Sequence, residues 1–420
     1  MHPALQGIFI IGFGVSACVG YFFASNLLLD KVLFPPRGPN AGRNINRANL
    51  IRPWLFLLPA MIVLTMYLAY PVFETLRLSL TERVPVPGGR GEMNYEWVGL
   101  DNYRQMASEQ KFWEAMRNNM MWLIVVPAFS TAIGLLVAQL TDRLKWGSLA
   151  KSMIFMPMAI SFVGAAVIFK LIYDARPVDQ SQIGALNAVW LAFEGGIWSV
   201  LILRILPAIL LVAFVIGVGW IALSLLRPVW ERDKHKSGGT AGSILRIVVG
   251  IIALWLILTA LPNIPALFTV QYDYGEPQQW LTIPFWNNFF LMAVLIWIET
   301  GFAMVILSAA LRGVPEDTIE AAIIDGANPF QIFFKIKVPQ IMGTILVVWT
   351  TITIKVLKVF DIVFAMTNGQ WETQVLANYM FDKLFRANDW GVGSASAIVI
   401  MLLVTPILVW NVWNARKEMR

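Results

Sequence analysis

The sequence predicts an all-α, polytopic membrane protein of about nine transmembrane helices, and three observations carry that expectation. Of 420 residues, 58% are hydrophobic and 14% charged, against roughly 25% charged in a soluble domain. The apolar residues gather into runs near the length of about 20 residues that a helix needs to cross a bilayer. The basic residues fall in alternate loops between those runs, which is the bias expected of cytoplasmic segments. A net charge of +6 spread in this way is not the single basic stripe that grips nucleic acid. The lone cysteine, Cys18, lies in an apolar run, so there is neither a disulfide framework nor a metal-ligand spacing.

Taken in order, Leu5 to Leu29 is a first span. It lacks a charged amino-terminal region and is about twice the length of a signal core, so a retained helix is expected rather than a signal peptide. Lys31 to Arg52 is basic and assigned to the cytoplasm, Trp54 to Leu80 is a second span carrying Pro59 and Pro71, and Thr81 to Glu114 is an external loop of mixed sign. Met116 to Leu140 crosses inward to a basic turn, Thr141 to Lys151 with Arg143, and Ser152 to Tyr173 returns outward. The external segment Asp174 to Gly196 leads into a helical pair, Ile197 to Leu226 and Ile244 to Ala260, joined by the basic connector Arg227 to Gly239. The second member is close to the lower limit of about 17 residues for crossing. Leu261 to Ile283 has no Lys or Arg and lies outside; Phe285 to Leu311, Ile341 to Met366 and Val392 to Trp413 complete the spans, with a basic tail, Arg416, Lys417 and Arg420, inside.

Between the seventh and eighth spans lies Arg312 to Pro339, RGVPEDTIEAAIIDGANPFQIFFKIKVP. Its turn chemistry reads as two short helices. Pro315 suits a first helical position, Glu316 and Asp317 complement the dipole, Gly326 supplies a left-handed stop, Asn328 caps a second helix opened by Pro329, and Pro339 closes it. Ile319, Ala322 and Ile323 fall on one face of the first, and Phe330, Phe333 and Phe334 on one face of the second. Such a pair lies at a membrane surface and offers a ridge to another protein.

The spacing Glu320-Ala321-Ala322, three residues, Gly326, nine residues, Ile336-Lys337-Val338-Pro339 resembles the cytoplasmic EAA coupling loop of ABC importer permeases, with Val338 where that family usually has leucine. Leu100 to Tyr103, Phe155 to Pro157, Thr300 to Phe302, Phe360-Asp361 and Trp390-Gly391 look like the maltose and disaccharide branch. The resemblance implies a six-helix permease core in two parts, 51–173 and 285–420, with the loop 312–339 in the second. It leaves an extra helix and linker in 1–50 and an insert in 174–284 that carries two further spans. It implies that Glu320, Ala321, Ala322, Asp325, Gly326, Ile336 and Pro339 dock on an ATPase, Glu320 pairing with a basic group and Gly326 permitting the bend. The implied partners are a cytoplasmic ATPase dimer, a second permease, a periplasmic or lipid-anchored sugar-binding protein and membrane lipid, in a bacterial inner membrane.

No GxxxxGK[ST] loop occurs in the chain, and the glycine-rich Gly238 to Ser243 lacks a lysine and reads as a flexible connector. ATP and Mg²⁺ are thus expected on the partner, and this chain is expected to be no enzyme and to hold no metal. Glu92, Glu96 and Asp101 are the nearest acids to a metal site, and their spacing suggests no shared ion. For a substrate path, Glu299 and Lys355 lie near mid-span, where an unpaired charge costs several kcal/mol, so each needs a partner and the other is at hand. Such a pair either bonds sugar hydroxyls or locks two helices. Lys358 and Asp361 follow at turn spacing and suggest a charged pore lining, with Trp349, Thr350, Thr351 and Thr353 offering a flat apolar face and hydroxyls. The function expected is import of an oligosaccharide of the α-glucoside or disaccharide class, such as maltose, sucrose or trehalose, by alternating access. Another small polar solute, glycerol phosphate or a polyol, is the alternative within the family, and an ion-coupled secondary transporter the alternative outside it.

Overall fold

The computed structural model describes residues 3–36, 41–85, 93–142, 144–177, 179–192, 197–230, 239–269 and 276–418. Readings that rest on Arg37, Glu92, Arg143, most of the connector 227–239, residues 270–275 and Arg420 fall outside them. The chain forms two compact units, Met1–Leu78 and Ser79–Arg420. Among the described residues six helices are long and apolar enough to cross a membrane, eight if each of two bent pairs is one span, and Trp390–Pro406 is a further, shorter apolar helix. These numbers are compatible with the nine spans expected. The described departure from helix is one antiparallel hairpin, Thr81–Pro85 with Met93–Trp97.

The first unit is a helical hairpin. Helix Pro3–Leu27 runs on through Leu28–Leu33 and packs on the helix Ala41–Ser79. Phe22 stacks on Phe56 with centroids 4.3 Å apart, Tyr21 donates to the Leu55 carbonyl at 2.9 Å, and Arg52 holds both oxygens of Asp30 at 2.8 and 2.9 Å. The loop expected over Lys31 to Arg52 is therefore mostly helix. Nothing in residues 41–52 breaks a helix, so the turns simply continue past the apolar stretch.

Three prolines inside helical stretches are absorbed in a common way. A widened π-turn at Thr65–Ala69, Leu201–Ile205 and Ile332–Lys337 stands just ahead of Pro71, Pro207 and Pro339. In each the next residue bonds back five positions, Tyr70 to Thr65, Leu206 to Leu201 and Val338 to Phe333. The extra residue takes up the carbonyl that a proline ring would strike and cannot bond.

Two spans expected to be single are broken. Ser152 to Tyr173 becomes Gly147–Ala159 and Phe162–Ile172, bent by 103°. Pro157 sits in a tight turn, and Ser161 restarts the helix by accepting the Gly164 amide at 3.1 Å. Ile341 to Met366 ends at Leu357 and resumes as Asp361–Met366, and a 71° bend separates it from Pro329–Gln340. By contrast the doubtful short span is a full helix, Gly239–Ala260, and Gly239 to Ser243, read as a flexible connector, form its first turns.

The core lies in the second unit, where the parallel helices Gln110–Thr141 and Asn287–Arg312 pack along their length. A Cβ on Gly134 would lie 2.6 Å from Ala303 Cβ and 2.9 Å from the Met304 amide, and one on Gly301 would lie 2.6 Å from the Ile154 carbonyl. Glycine at these two points lets helix 287–312 close on both neighbours. Trp122, Val126, Leu295, Ile298, Leu307, Val348 and Ile352 fill the space around the contact.

The two ends of the segment 174–284, expected as an insert, meet. The buried Asn187 donates to the carbonyls of Asp174 and Gln278 at 2.8 and 3.0 Å and accepts from the Gln278 amide and the Trp280 indole at 2.9 and 3.1 Å. Its helices 206–230 and 239–260 pack on each other through Val218, Ala222 and Ala253, and on helix 110–141 through Ile124. The helix contact yields a first prediction. Gly134→Val is expected to destabilise the purified protein by about 1–3 kcal/mol, read as a lower unfolding midpoint in detergent, whereas Gly219→Ala, whose Cβ would meet only Ile257 at 3.8 Å, leaves the midpoint within a degree or two.

Candidate functional site

The loop 312–340 is framed by backbone geometry. Helix Glu316–Ile324 starts after Pro315, which is the cap rather than the first helical residue, and keeps Glu316 and Asp317 in its first turn. It ends in paired turns: the Gly326 amide donates to Ile323 and the Ala327 amide to Ala322, at 3.0 and 2.9 Å. Gly326 has φ +81°, and a Cβ there would meet nothing within 4 Å, so the backbone conformation and not space selects glycine. Asn328 then accepts from the Gln331 amide at 2.8 Å while the Gln331 side chain accepts from the Asn328 amide at 2.9 Å, a reciprocal cap. The second helix, Pro329–Gln340, does not close at Pro339 but runs one residue beyond it, because the π-turn accommodates the ring.

The exposed side of this frame is apolar. Ile323, Ile324, Phe330 and Phe334 are 58, 85, 76 and 62% exposed, while Ala322 and Ile332 are buried and Ile319, Phe333 and Ile336 half-buried. Ile323 thus leaves the face shared by Ile319 and Ala322. On the second helix Ile332, and not the phenylalanine row, is the buried anchor. Glu320, Ala321 and Asp325 are exposed, and no ion pair reaches Glu320 or Asp325 among the described residues. Lys337 Nζ approaches Gln139 Oε1 of helix 110–141 at 3.4 Å.

Just ahead of this loop is a cluster that sequence reading dispersed among loop charges. Asp142 accepts from Lys151, from Ser308 Oγ at 3.1 Å and from Arg312 Nε and Nη2 at 3.1 Å, and Lys151 also donates to Ser308 at 2.5 Å. One carboxylate thus ties the end of helix 110–141, the first limb of the broken span and the last turn of helix 287–312. Partial burial pushes the Asp142 carboxyl up, but the hydrogen bonds from Lys151, Ser308 and Arg312 outweigh it and hold the group below the ordinary aspartate value.

At mid-helix the structure brings Glu299 and Lys355 together. Lys355 Nζ lies 2.9 Å from both carboxylate oxygens and 4.5 Å from the Phe302 ring centroid. Glu299 is 1% exposed. The hydroxyls nearby are turned to their own helix: Thr350 donates to Leu346 at 2.9 Å, Thr351 to Val347 at 2.8 Å and Thr353 to Trp349 at 2.8 Å. Their protons are spent on backbone, so they offer a ligand lone pairs only. Trp349 is half-buried. The charged face expected through Lys355, Lys358 and Asp361 does not exist. The helix stops at Leu357, Lys358 is its cap, and Asp361 opens another helix in a new direction.

The other end of helices 110–141 and 287–312 holds a turn that sequence reading missed. Asn368, Gly369, Trp371 and Glu372 have φ of 54, 71, 54 and 61°, conformations that cost a side-chain-bearing residue about 1 kcal/mol or more. Buried asparagines compensate. Asn118 donates to the Glu372 and Gln374 carbonyls at 2.8 Å, Asn287 to Trp371 at 2.6 Å and Asn288 to Glu372 at 3.2 Å, and Asn119 accepts from the Leu376 amide at 2.8 Å. The signal was present as twin asparagines, 118–119 and 287–288, each opening an apolar span. Among the described residues no group of three or more His, Cys, Asp or Glu could hold a metal ion, and Asp101, one of the acids weighed above, pairs with Arg104 at 2.8 Å.

Residues 239–419 match the family described as binding-protein-dependent transport system inner membrane component. The chain is 49% identical to the alpha-glucoside transport system permease protein AglF of Rhizobium meliloti, over 100% of this chain and 99% of that protein. It is 36% identical to the osmoprotective compounds uptake permease protein GgtC of Synechocystis, over 87% of this chain and 100% of that one. The first alignment runs through the amino-terminal unit and the insert as well as the rest. Among solved structures, a chain of a bacterial ABC transporter involved in import of the acidic polysaccharide alginate has a TM-score of 0.57 at 17% identity, covering 90% of this chain and 99% of that one. A second structure of such a transporter, in complex with an alginate pentasaccharide-bound periplasmic protein, matches equally well, with a TM-score of 0.57. These two likenesses bear on the fold alone.

Two predictions follow from the site. Lys355→Met leaves Glu299 buried without a partner and is expected to lower stability by about 3 kcal/mol. The double variant Glu299→Gln with Lys355→Met is expected to recover to within about 1 kcal/mol of the parent, measured by denaturant unfolding in detergent. Because the Asp142 carboxyl is held low when folded, its contribution is present above about pH 3.9, the free aspartate value, and is lost as pH falls through the folded value. The difference in unfolding midpoint between parent and Asp142→Asn should therefore be largest near neutrality and shrink below about pH 4.

Proposed function

The chain belongs to the family of binding-protein-dependent transport inner-membrane permeases, and from that premise we propose that it is the permease subunit of an ATP-driven importer for an oligosaccharide of the α-glucoside class. The single observation that carries the coupling half of this reading is the loop 312–340. Two helices locked by a left-handed glycine stop and a reciprocal asparagine cap display Glu320 beside the exposed Ile323, Ile324, Phe330 and Phe334. Apolar side chains exposed at that density on a rigid frame are a protein-docking surface. The partner that fits is a cytoplasmic ATPase dimer, which binds ATP and Mg²⁺, while this chain supplies no nucleotide-binding loop. The basic bias of alternate loops supports a cytoplasmic position for 312–340, and the family supports a bacterial inner membrane.

In this reading the ATPase pulls on Glu320 and the apolar ridge. The second helix carries the pull through the 71° bend into Met342–Leu357, and Arg312 carries it into helix 287–312 and the Asp142 cluster. Rocking of these helices opens the path alternately to each side, with a second permease completing the pore and a sugar-binding protein delivering the solute. The likeness to AglF supports an α-glucoside. The likeness to GgtC supports a second reading within the same family, a smaller polar solute such as a polyol. We read Glu299–Lys355 as a helix lock rather than a sugar contact, because each charge already has its partner and the surrounding threonines are bonded to backbone.

Uptake of labelled sugars and polyols by cells with and without the gene separates the two solutes. Glu320→Lys and Gly326→Pro are each expected to abolish uptake with membrane insertion intact, and normal uptake in both would sink the coupling assignment.

A further inference from the structure

The insert 174–284 has no role in the account above, and one of its helices carries an unexplained charge. Arg204 lies in the π-turn Leu201–Ile205, just ahead of the apolar span Leu206–Ser224. It is half-buried, no hydrogen bond or ion pair reaches it among the described residues, and its Nε is buried with no partner. A guanidinium beside a bilayer span ordinarily has a counter-charge, since leaving it bare costs several kcal/mol. Trp198, 60% exposed, stands on the same end of the helix, where indole rings mark the headgroup level.

Directly along the helix from Arg204 runs an apolar groove of ≈ 440 Å³, lined by Ala208, Ile209, Val212, Ile216 and, from Asn263–Thr269, Phe268. Ala208 and Val212 follow Arg204 at four-residue spacing, and Arg204 stands just beyond Ile205 at the end of the groove, outside its lining. Side chains on a helix lean towards its amino terminus, which aims Arg204 away from the hydrocarbon and towards the headgroups. An open apolar groove along the span, with a cation just beyond its end that has no partner among the described residues, suits a single amphiphile: an acyl chain below and an anion above.

We propose that the groove 205–216 with Phe268 and Arg204 is a binding site for one anionic phospholipid, its phosphate on the Arg204 guanidinium and an acyl chain along Ala208, Val212 and Ile216. The inference rests on the membrane-spanning reading and is independent of the transported solute. An acyl chain fits the lining because no polar side chain contributes to it. An anionic headgroup fits the mouth because no carboxylate among the described residues pairs with the cation there.

The test uses the full-length chain purified in its transporter complex and equilibrated with equimolar phosphatidylglycerol and phosphatidylethanolamine. Native mass spectrometry reads the lipid retained. The parent is expected to keep phosphatidylglycerol preferentially, Arg204→Ala and Arg204→Gln to lose that preference on the order of fivefold, and Arg204→Lys to keep most of it. Ala208→Trp, which fills the groove, is expected to release both lipids. A photo-reactive residue at Ile209 should label lipid. Equal retention of the two lipids by the parent, an unchanged preference in both neutral variants, or a cross-link to protein in place of lipid would each overturn the proposal.

Discussion

Helix 287–312 touches its neighbours backbone to backbone at Gly134 and Gly301, and the permease core depends on that contact. In a bilayer, lipid tails are as apolar as leucine, so helices associate through close packing and internal polar contacts rather than by escape from water. Two glycines that let a third helix approach to van der Waals distance supply the first of these. The polar contacts then gather at the two ends of the same pair, asparagines at one and the Asp142 cluster at the other.

This arrangement gives the second unit a stiff axis with a different device at each end. The asparagines hold a left-handed turn that would not persist unaided, and they expose Trp371 and Glu372 on it. The Asp142 cluster joins three elements through a single carboxylate oxygen, next to the loop that the ATPase is proposed to move. Side chains that meet at one atom have discrete arrangements, which suits a part that must hold one state and release it. Between the ends, Glu299 and Lys355 satisfy each other where water cannot.

Much of this was legible in the chain. Apolar runs placed the helices, because backbone in hydrocarbon must bond within itself. The cap chemistry of Gly326 and Asn328 was readable because it depends on neighbours within a few residues, and the pairing of Glu299 with Lys355 followed from the cost of a bare charge at that depth. Other readings failed for a common reason. Whether Pro157 breaks a span and Pro71 does not, or whether Asp361 continues a face or starts a helix, depends on a π-turn or a tight turn that composition does not mark.

A helical membrane protein, the class of its loop 312–339 and the family that loop implies were readable along the chain, since these rest on local spacing and on the solvent. Only the tertiary structure decided which residues share a site. It brought Asn187 to Gln278, Asn118 to residues 372 and 374, and Arg312 to Asp142, pairs 91 to 256 residues apart. It also spent the threonine hydroxyls on their own helix and left Arg204 without a partner among the described residues. Such assignments turn on which donor reaches which acceptor first, and distance in space, not order along the chain, settles that.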